Sequence, residues 1–224
     1  MYNAKTVILA ACVCFANSGK LPSDIKVCKH SDPNLNECFK DAIPSLSIDA
    51  GSESMKVVQN YKNMKIYDLT NSVINSAKLE HDGDNIYAEF QVTIPLVRGE
   101  SDYTVDGKIL MLPIKGEGQC TMVFKDSKAT LKMNGTKFNK NGKSYLNVSE
   151  FKVNFEPKVA EFNFDNLFNG DKKLGDAMNT LINENWRGLF EEVKEGYEET
   201  FGQLFKQTTN SIFTKISVDE LFPQ

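Results

Sequence analysis

From about residue 60 to residue 166 apolar residues recur at every second position. Ile86, Ala88, Phe90, Val92, Ile94 and Leu96 make the clearest run, with Glu89, Gln91 and Thr93 between them. Side chains alternate across a strand, so this run predicts a strand with one dry and one wet face. Tyr103, Val105, Ile109 and Met111 repeat the pattern. So do Cys120, Met122 and Phe124, then Ala129, Leu131 and Met133, then Phe151, Val153 and Phe155. The segments 82–85, 98–101, 115–118, 125–128 and 139–142 carry Gly, Asn, Asp and Ser, which suit tight turns. The expectation is a run of hairpins and a largely antiparallel sheet, without the βαβ rhythm of a Rossmann-like enzyme.

After Asn169-Gly170 the period changes to about 3.6, with Leu174, Met178, Leu181, Trp186, Leu189, Phe190, Val193, Tyr197, Phe201, Leu204, Phe205, Ile212, Phe213 and Ile216 near one face. An unbroken helix from Leu174 to Ile216 would reach about 64 Å at 1.5 Å per residue. A round domain of this length is only about 43 Å across. Either the helix breaks, with Gly188, Gly196 and Gly202 as weak points, or the molecule is elongated and a sheet curls along the helix. Residues 184–199 hold six Glu against Arg187 and Lys194. That composition disfavours a helix lying on anionic lipid, and Trp, Phe and Tyr on the apolar face suit a coiled coil poorly. Packing against the sheet is the better reading. Glu191, Glu192, Glu195, Glu198 and Glu199 read as its wet face.

Composition adds compartment and partner class. Lys5 precedes the apolar stretch 6–16, followed by Ala16-Asn17-Ser18, the order of zones in a secretory signal peptide. Residues 1–18 are read as that peptide and 19–224 as a single secreted domain. Three cysteines then remain. Cys28 and Cys38 lie in a Pro/Asn/Asp-rich segment where a short loop closes cheaply in an oxidising compartment, and they are expected to pair. Cys120 sits in an alternating run and reads as a buried thiol. Asn134-Gly135-Thr136 and Asn147-Val148-Ser149 are glycosylation acceptors. The net charge of -4 argues against nucleic acid as a partner, and no apolar run is long enough to span a bilayer.

Catalytic patterns are lacking. There is no Gly-x-Ser-x-Gly elbow, His-Glu-x-x-His pair, Walker loop or two-cysteine metal spacing, and Gly116-Glu117-Gly118 lacks the third glycine of a dinucleotide site. His30 lies between the paired cysteines and His81 opens a turn. The reading is a non-enzyme with no cofactor and no metal.

Three blocks together resemble the takeout and juvenile hormone binding protein family of insects. They are Leu21-Pro22-Ser23-Asp24-Ile25-Lys26-Val27-Cys28 with 32–38; Leu167-Phe168-Asn169-Gly170 through Leu174-Gly175, Met178-Asn179 and Asn183-Glu184-Asn185-Trp186; and Asp219-Glu220-Leu221-Phe222-Pro223. Leu112-Pro113-Ile114-Lys115-Gly116 lies between them. The resemblance implies an α+β fold: a long C-terminal helix wrapped by a strongly curved antiparallel sheet, an elongated tubular lipid-binding architecture with an apolar tunnel. It implies a secreted extracellular carrier of a small hydrophobic ligand, such as a juvenile-hormone-like terpenoid, a fatty acid or another lipid, and leaves room for a receptor. The alternative is a membrane-active or lipid-transfer protein of the same broad class. Expected lining residues are Trp186, Phe190, Tyr197 and Phe201 on the helix and Phe90, Val92, Met111 and Met122 on strands, with Tyr197 or Trp186 able to bond a head group. Two departures stand out. The segment between Leu46 and Met64 is shorter than the family's, which bears on one wall of the tunnel. No cysteine remains for the second disulfide of hormone carriers, so the likeness is to takeout.

Overall fold

The computed structural model describes residues 46–51, 55–109 and 112–221. The expected signal peptide, the Cys28–Cys38 pair, His30 and Met111 lie outside them. Among the described residues seven strands form one antiparallel sheet: β1 (Leu46–Gly51), β2 (Lys56–Tyr67), β3 (Val73–Asp82), β4 (Asn85–Ile109), β5 (Leu112–Lys140), β6 (Lys143–Glu156) and β7 (Val159–Phe164). Three helices follow, α1 (Lys172–Glu184), α2 (Trp186–Phe213) and the short α3 (Val218–Leu221).

Two very long strands set the shape. β4 and β5 have 25 and 29 residues and pair along their whole length, from Asn85↔Thr136 to Ile109↔Leu112. Laid flat they would run about 80–95 Å at 3.3 Å per residue, roughly twice the ~42 Å of α2, so they coil around it. Their flanks change along the way. The first half of β4 carries β3 and the second half β2, with β1 beyond. The first half of β5 carries β7 and the second half β6. Register shifts at Lys62/Lys65, Ile74/Ser76 and Asn134/Gly135 are bulges, which bend a strand and increase its twist. The result is a curled half-barrel whose concave side holds α2.

Two expected turns are hairpins: Gly83 (φ 57) closes β3–β4, and Asn141 (φ 53) with Gly142 (φ 75) closes β5–β6. The other three are not turns. Residues 98–101, 115–118 and 125–128 lie inside β4 or β5, which merge segments that the sequence reads as separate strands. The two β5 glycines serve close approach: a Cβ on Gly116 would stand 2.9 Å from the Tyr103 hydroxyl, and one on Gly118 would stand 2.9 Å from the Asp165 carbonyl. At Asp126 (φ 50) opposite Pro95 the pairing skips one step and resumes, since proline has no N–H for the ladder.

The change of period after Asn169-Gly170 marks a real helix start, with Asp171 capping α1 by accepting from the Leu174 N–H at 3.1 Å. One unbroken helix to Ile216 does not form. The break falls at Asn185 (φ -111, ψ 14), whose side chain and backbone N–H both turn back to the Leu181 carbonyl, and α2 ends at Phe213. None of the three glycines breaks it. Gly202 instead lets α2 touch β6, since a Cβ there would lie 2.6 Å from the Phe151 carbonyl oxygen.

Side-chain amides join the helices to the free strand edges. Asn179 accepts from Phe164 N–H and donates to its carbonyl, both at 2.9 Å. Asn183 does the same to Phe162 at 2.8 and 2.7 Å. Four helical residues rise about 6 Å and two strand residues about 6.7 Å, so asparagines one turn apart meet alternate residues of β7. Further along, Asn210 repeats the clasp on Val148 of β6 at 2.7 and 2.8 Å.

Candidate functional site: an apolar cavity between helix and sheet

Sheet and helix do not close on one another. They enclose a cavity of about 610 Å³. On the sheet side its wall is built from inward positions of β4 and β5, among them Phe90, Val92, Ile94, Met122, Phe124, Leu131 and Met133, with Phe151 and Phe155 from β6 and Leu46 and Ile48 from β1. Along the helix it extends from Phe190 to Phe213, about 35 Å at 1.5 Å per residue. β3 forms one margin. Leu79 borders the cavity and yet is 68% exposed, so the cavity meets solvent beside this edge strand. His81 also sits on that margin and is exposed.

The residues of α2 that border the cavity are Phe190, Lys194, Tyr197, Glu198, Phe201, Phe205, Thr209 and Phe213, which apart from the adjacent Tyr197 and Glu198 are spaced by three and four as one face of a helix requires. Polar groups interrupt this aromatic face at two levels. Lys194 and Glu198 stand one turn apart with side chains only 17% and 21% exposed. Glu198 Oε1 accepts from the Phe155 N–H at 2.7 Å and from Asn154 Nδ2 at 3.3 Å, and burial raises its carboxyl above the usual carboxylate range. Further along, the Thr209 hydroxyl is buried without a hydrogen-bond partner. The hydroxyls of Thr208, Ser211 and Thr214 all bond back to helix carbonyls.

Tyr197 belongs to a third polar group. Its hydroxyl lies 2.6 Å from that of Tyr61, and both meet Gln59 Oε1. Two hydroxyl hydrogens serve three contacts, so one of the three always lacks a proton. Burial pushes both phenols above their ordinary value, so both stay protonated. Cys120 lies in the same part of the core, its thiol pushed up to about 12 by burial, as the reading of a buried thiol expects. Among the described residues no three His, Cys, Asp or Glu side chains gather as a metal site, and no helix is long and apolar enough to cross a membrane.

Six of the eight residues read as lining positions border the cavity: Phe90, Val92, Met122, Phe190, Tyr197 and Phe201. Trp186 does not. It is half-buried at the start of α2, with the Arg187 guanidinium 4.7 Å from its ring centre and Phe190 at 6.5 Å. It falls near the apolar face by period, but that arc is wider than the cavity. Glu198 corrects the reading of a wet glutamate face: Glu191, Glu192, Glu195 and Glu199 are exposed, whereas Glu198 turns inward to the free N–H of β6. Lys194, Glu198 and Thr209 were not singled out in the sequence as site residues. The available signal was their spacing, since each falls three, four or seven positions from a lining aromatic.

Residues 41–223 match the family model described as haemolymph juvenile hormone binding protein (JHBP). Over 229 aligned positions the chain is 27% identical to the circadian clock-controlled protein daywake of Drosophila melanogaster, covering 90% of this chain and 88% of that one. It is 22% identical over 162 residues to a Schistocerca gregaria protein named "Putative beta-carotene-binding protein", covering 71% of this chain and 64% of that one. The crystal structure of Epiphyas postvittana Takeout 1 superposes with a TM-score of 0.64 at 24% identity, covering 88% of this chain and 98% of that one. The shared fold is the curled sheet around a long C-terminal helix, and the family match spans nearly all of the described chain. The chain therefore belongs to the takeout and haemolymph juvenile hormone binding protein family.

Proposed function

We propose that this protein is a secreted carrier that holds one small apolar or amphipathic molecule in the cavity between α2 and the sheet. The cavity itself carries the reading. Protein interiors pack nearly as densely as organic crystals, and ligand sites occupy about 300–1,000 Å³, the range into which 610 Å³ falls. Left unfilled, the lining of such a space lacks the packing contacts of an ordinary interior. A cargo restores those contacts. Phe90, Val92, Met122, Phe190 and Phe201 would supply most of the affinity by burial, at about 25 cal/mol per Å² before ordering costs. The Schistocerca gregaria relative, whose name records an apolar pigment as cargo, supports the same class of ligand.

The leader-like residues 1–18 support export to an extracellular fluid. Asn134 and Asn147 are exposed on β5 and β6, where glycans would leave the cavity clear, and a Cys28–Cys38 bridge would staple the chain ahead of β1. No catalytic step enters this reading. The test is mass spectrometry of the organic extract of protein purified from its natural source, with titration of a fluorescent apolar probe into the stripped protein. One equivalent of lipid-like molecule and saturable probe binding are expected. An extract without lipid and a protein that takes up no probe would overturn the carrier, and flotation with ligand-free vesicles would favour the membrane-active alternative.

A further inference from the structure

The cavity wall carries one ion pair whose bonding is incomplete. Lys194 Nζ lies 3.9 Å from Glu198 Oε1 and 4.0 Å from Glu191 Oε2, both beyond hydrogen-bond reach. Its side chain is 17% exposed, whereas the other ion-paired lysines among the described residues range from 44% to 85%. The Lys194 ammonium therefore makes no hydrogen bond to the protein, although its side chain is mostly buried. Glu198 spends Oε1 on Phe155 and Asn154, while Oε2 receives no hydrogen bond. A donor and an acceptor thus lie side by side on the α2 wall of the cavity, between Phe190 and Phe201. Leaving such groups unpaired in a low-dielectric site is unfavourable.

The chemistry that fills both at once is narrow. A hydroxyl accepts and donates through one oxygen. A carboxylate would satisfy Lys194 but confront Glu198, with Glu191 just behind, where like charges repel strongly. An ester or ketone accepts from Lys194 and leaves Glu198 unfilled, and a hydrocarbon fills neither. The pair is net neutral, so it provides no field to draw in an anion.

We propose that Lys194 and Glu198 form the head-group site of the cavity and that its cargo is an uncharged chain ending in a hydroxyl, a long-chain alcohol. The oxygen accepts from the Lys194 ammonium, and the hydroxyl proton is donated to Glu198 Oε2. The apolar body lies along the aromatic face toward Phe201 and Phe205. This assignment rests on the carrier reading and specifies its ligand class.

The test displaces a fluorescent naphthylamine probe from the stripped full-length mature protein at neutral pH with dodecanol, dodecanoate and dodecane. Dodecanol is expected to bind about ten- to a hundredfold more tightly than either of the others, as hydrogen bonds to buried charged groups allow. Lys194→Met should bring dodecanol to within about threefold of dodecane. Glu198→Gln keeps the acceptor for the Phe155 N–H and hence the fold, which melting curves verify, and should let dodecanoate match or exceed dodecanol. Dodecanoate binding as tightly as dodecanol to the unaltered protein, equal displacement by all three, or a full alcohol preference in Lys194→Met would each overturn the head-group site while leaving the carrier intact. Failure of the stripped protein to bind the probe would overturn the carrier reading itself.

Discussion

The asparagine clasp between α1 and β7 gives the sharpest stability prediction. β7 pairs with β5 on one edge only, and its other edge presents the N–H and carbonyl of Phe162 and Phe164. Asn183 covers the Phe162 pair with bonds of 2.8 and 2.7 Å, and its Nδ2 also donates to the Asn179 carbonyl at 2.8 Å. In Asn183→Leu the apolar replacement excludes water and leaves one N–H and one carbonyl unpaired in a half-buried position. At about 1–3 kcal/mol for each buried group left unsatisfied, and allowing for residual solvent access, the loss should be roughly 2–4 kcal/mol. That is a large share of a typical domain's stability of about 5–15 kcal/mol. Asn185→Ala is the control, because the Asn185 amide bonds only to the Leu181 carbonyl of its own helix at an exposed site; it should lose under about 1 kcal/mol. Urea denaturation reads both, with an unchanged m-value showing that native and unfolded states are otherwise comparable. Hydrogen exchange should show the Phe162 amide losing protection in Asn183→Leu alone. Equal midpoints for the two variants, or an Asn183→Leu loss under about 0.5 kcal/mol, would refute the clasp as a major tie.

Three further outcomes follow from individual environments. Gly188→Ala and Gly202→Ala should move thermal stability in opposite directions: Gly188 has open space around it and gains up to about 1 kcal/mol of helix propensity, whereas Gly202 gains the same but drives a Cβ to 2.6 Å from the Phe151 carbonyl, overpacking that costs about 1–3 kcal/mol; a parallel shift would count against the contact. Cys120, its thiol pushed up to about 12 by burial, should resist iodoacetamide at mildly alkaline pH until the protein is unfolded, and rapid labelling of native protein would contradict its placement. Glu198 is raised mainly by burial, with further upward contributions from Glu191 and Glu156 and opposing ones from the Phe155 N–H and Lys194. The native state therefore holds that proton more tightly than the unfolded chain, and its contribution to stability is present at low pH and lost as pH rises through the native value. Glu198→Gln should flatten this fall in urea midpoints as pH rises past the ordinary glutamate value of about 4.3, and an unchanged profile would refute it.

Much of this molecule is legible residue by residue. The period-two runs identify the inward faces of β4, β5 and β6, and the switch to a 3.6 period after Asn169-Gly170 locates the helical end, because alternation and helical repeat are local consequences of backbone geometry. Six cavity-bordering residues come from those same patterns. Where strands end is a different matter. The Gly-bearing segments at 98–101 and 115–118 have hairpin composition, and only the unbroken pairing from Val97↔Phe124 to Gly107↔Ile114 shows that they sit within long strands. Asn185, rather than any glycine, divides the helix through a bond that the residue type permits but does not demand.

The interior polar groups depended on tertiary structure most of all. In sequence, Glu198 is one of several glutamates on an acidic stretch. It turns inward because the edge of β6 offers an unpaired Phe155 N–H at that level of the helix, and Lys194, one turn before it, borders the same space. Periodicity states which side chains avoid water. Whether they meet one another or stand apart around a hollow depends on how far two long strands coil about a helix, a distance set by bulges, close glycine contacts and edge-to-helix amide bonds that join residues up to 62 positions apart in the chain.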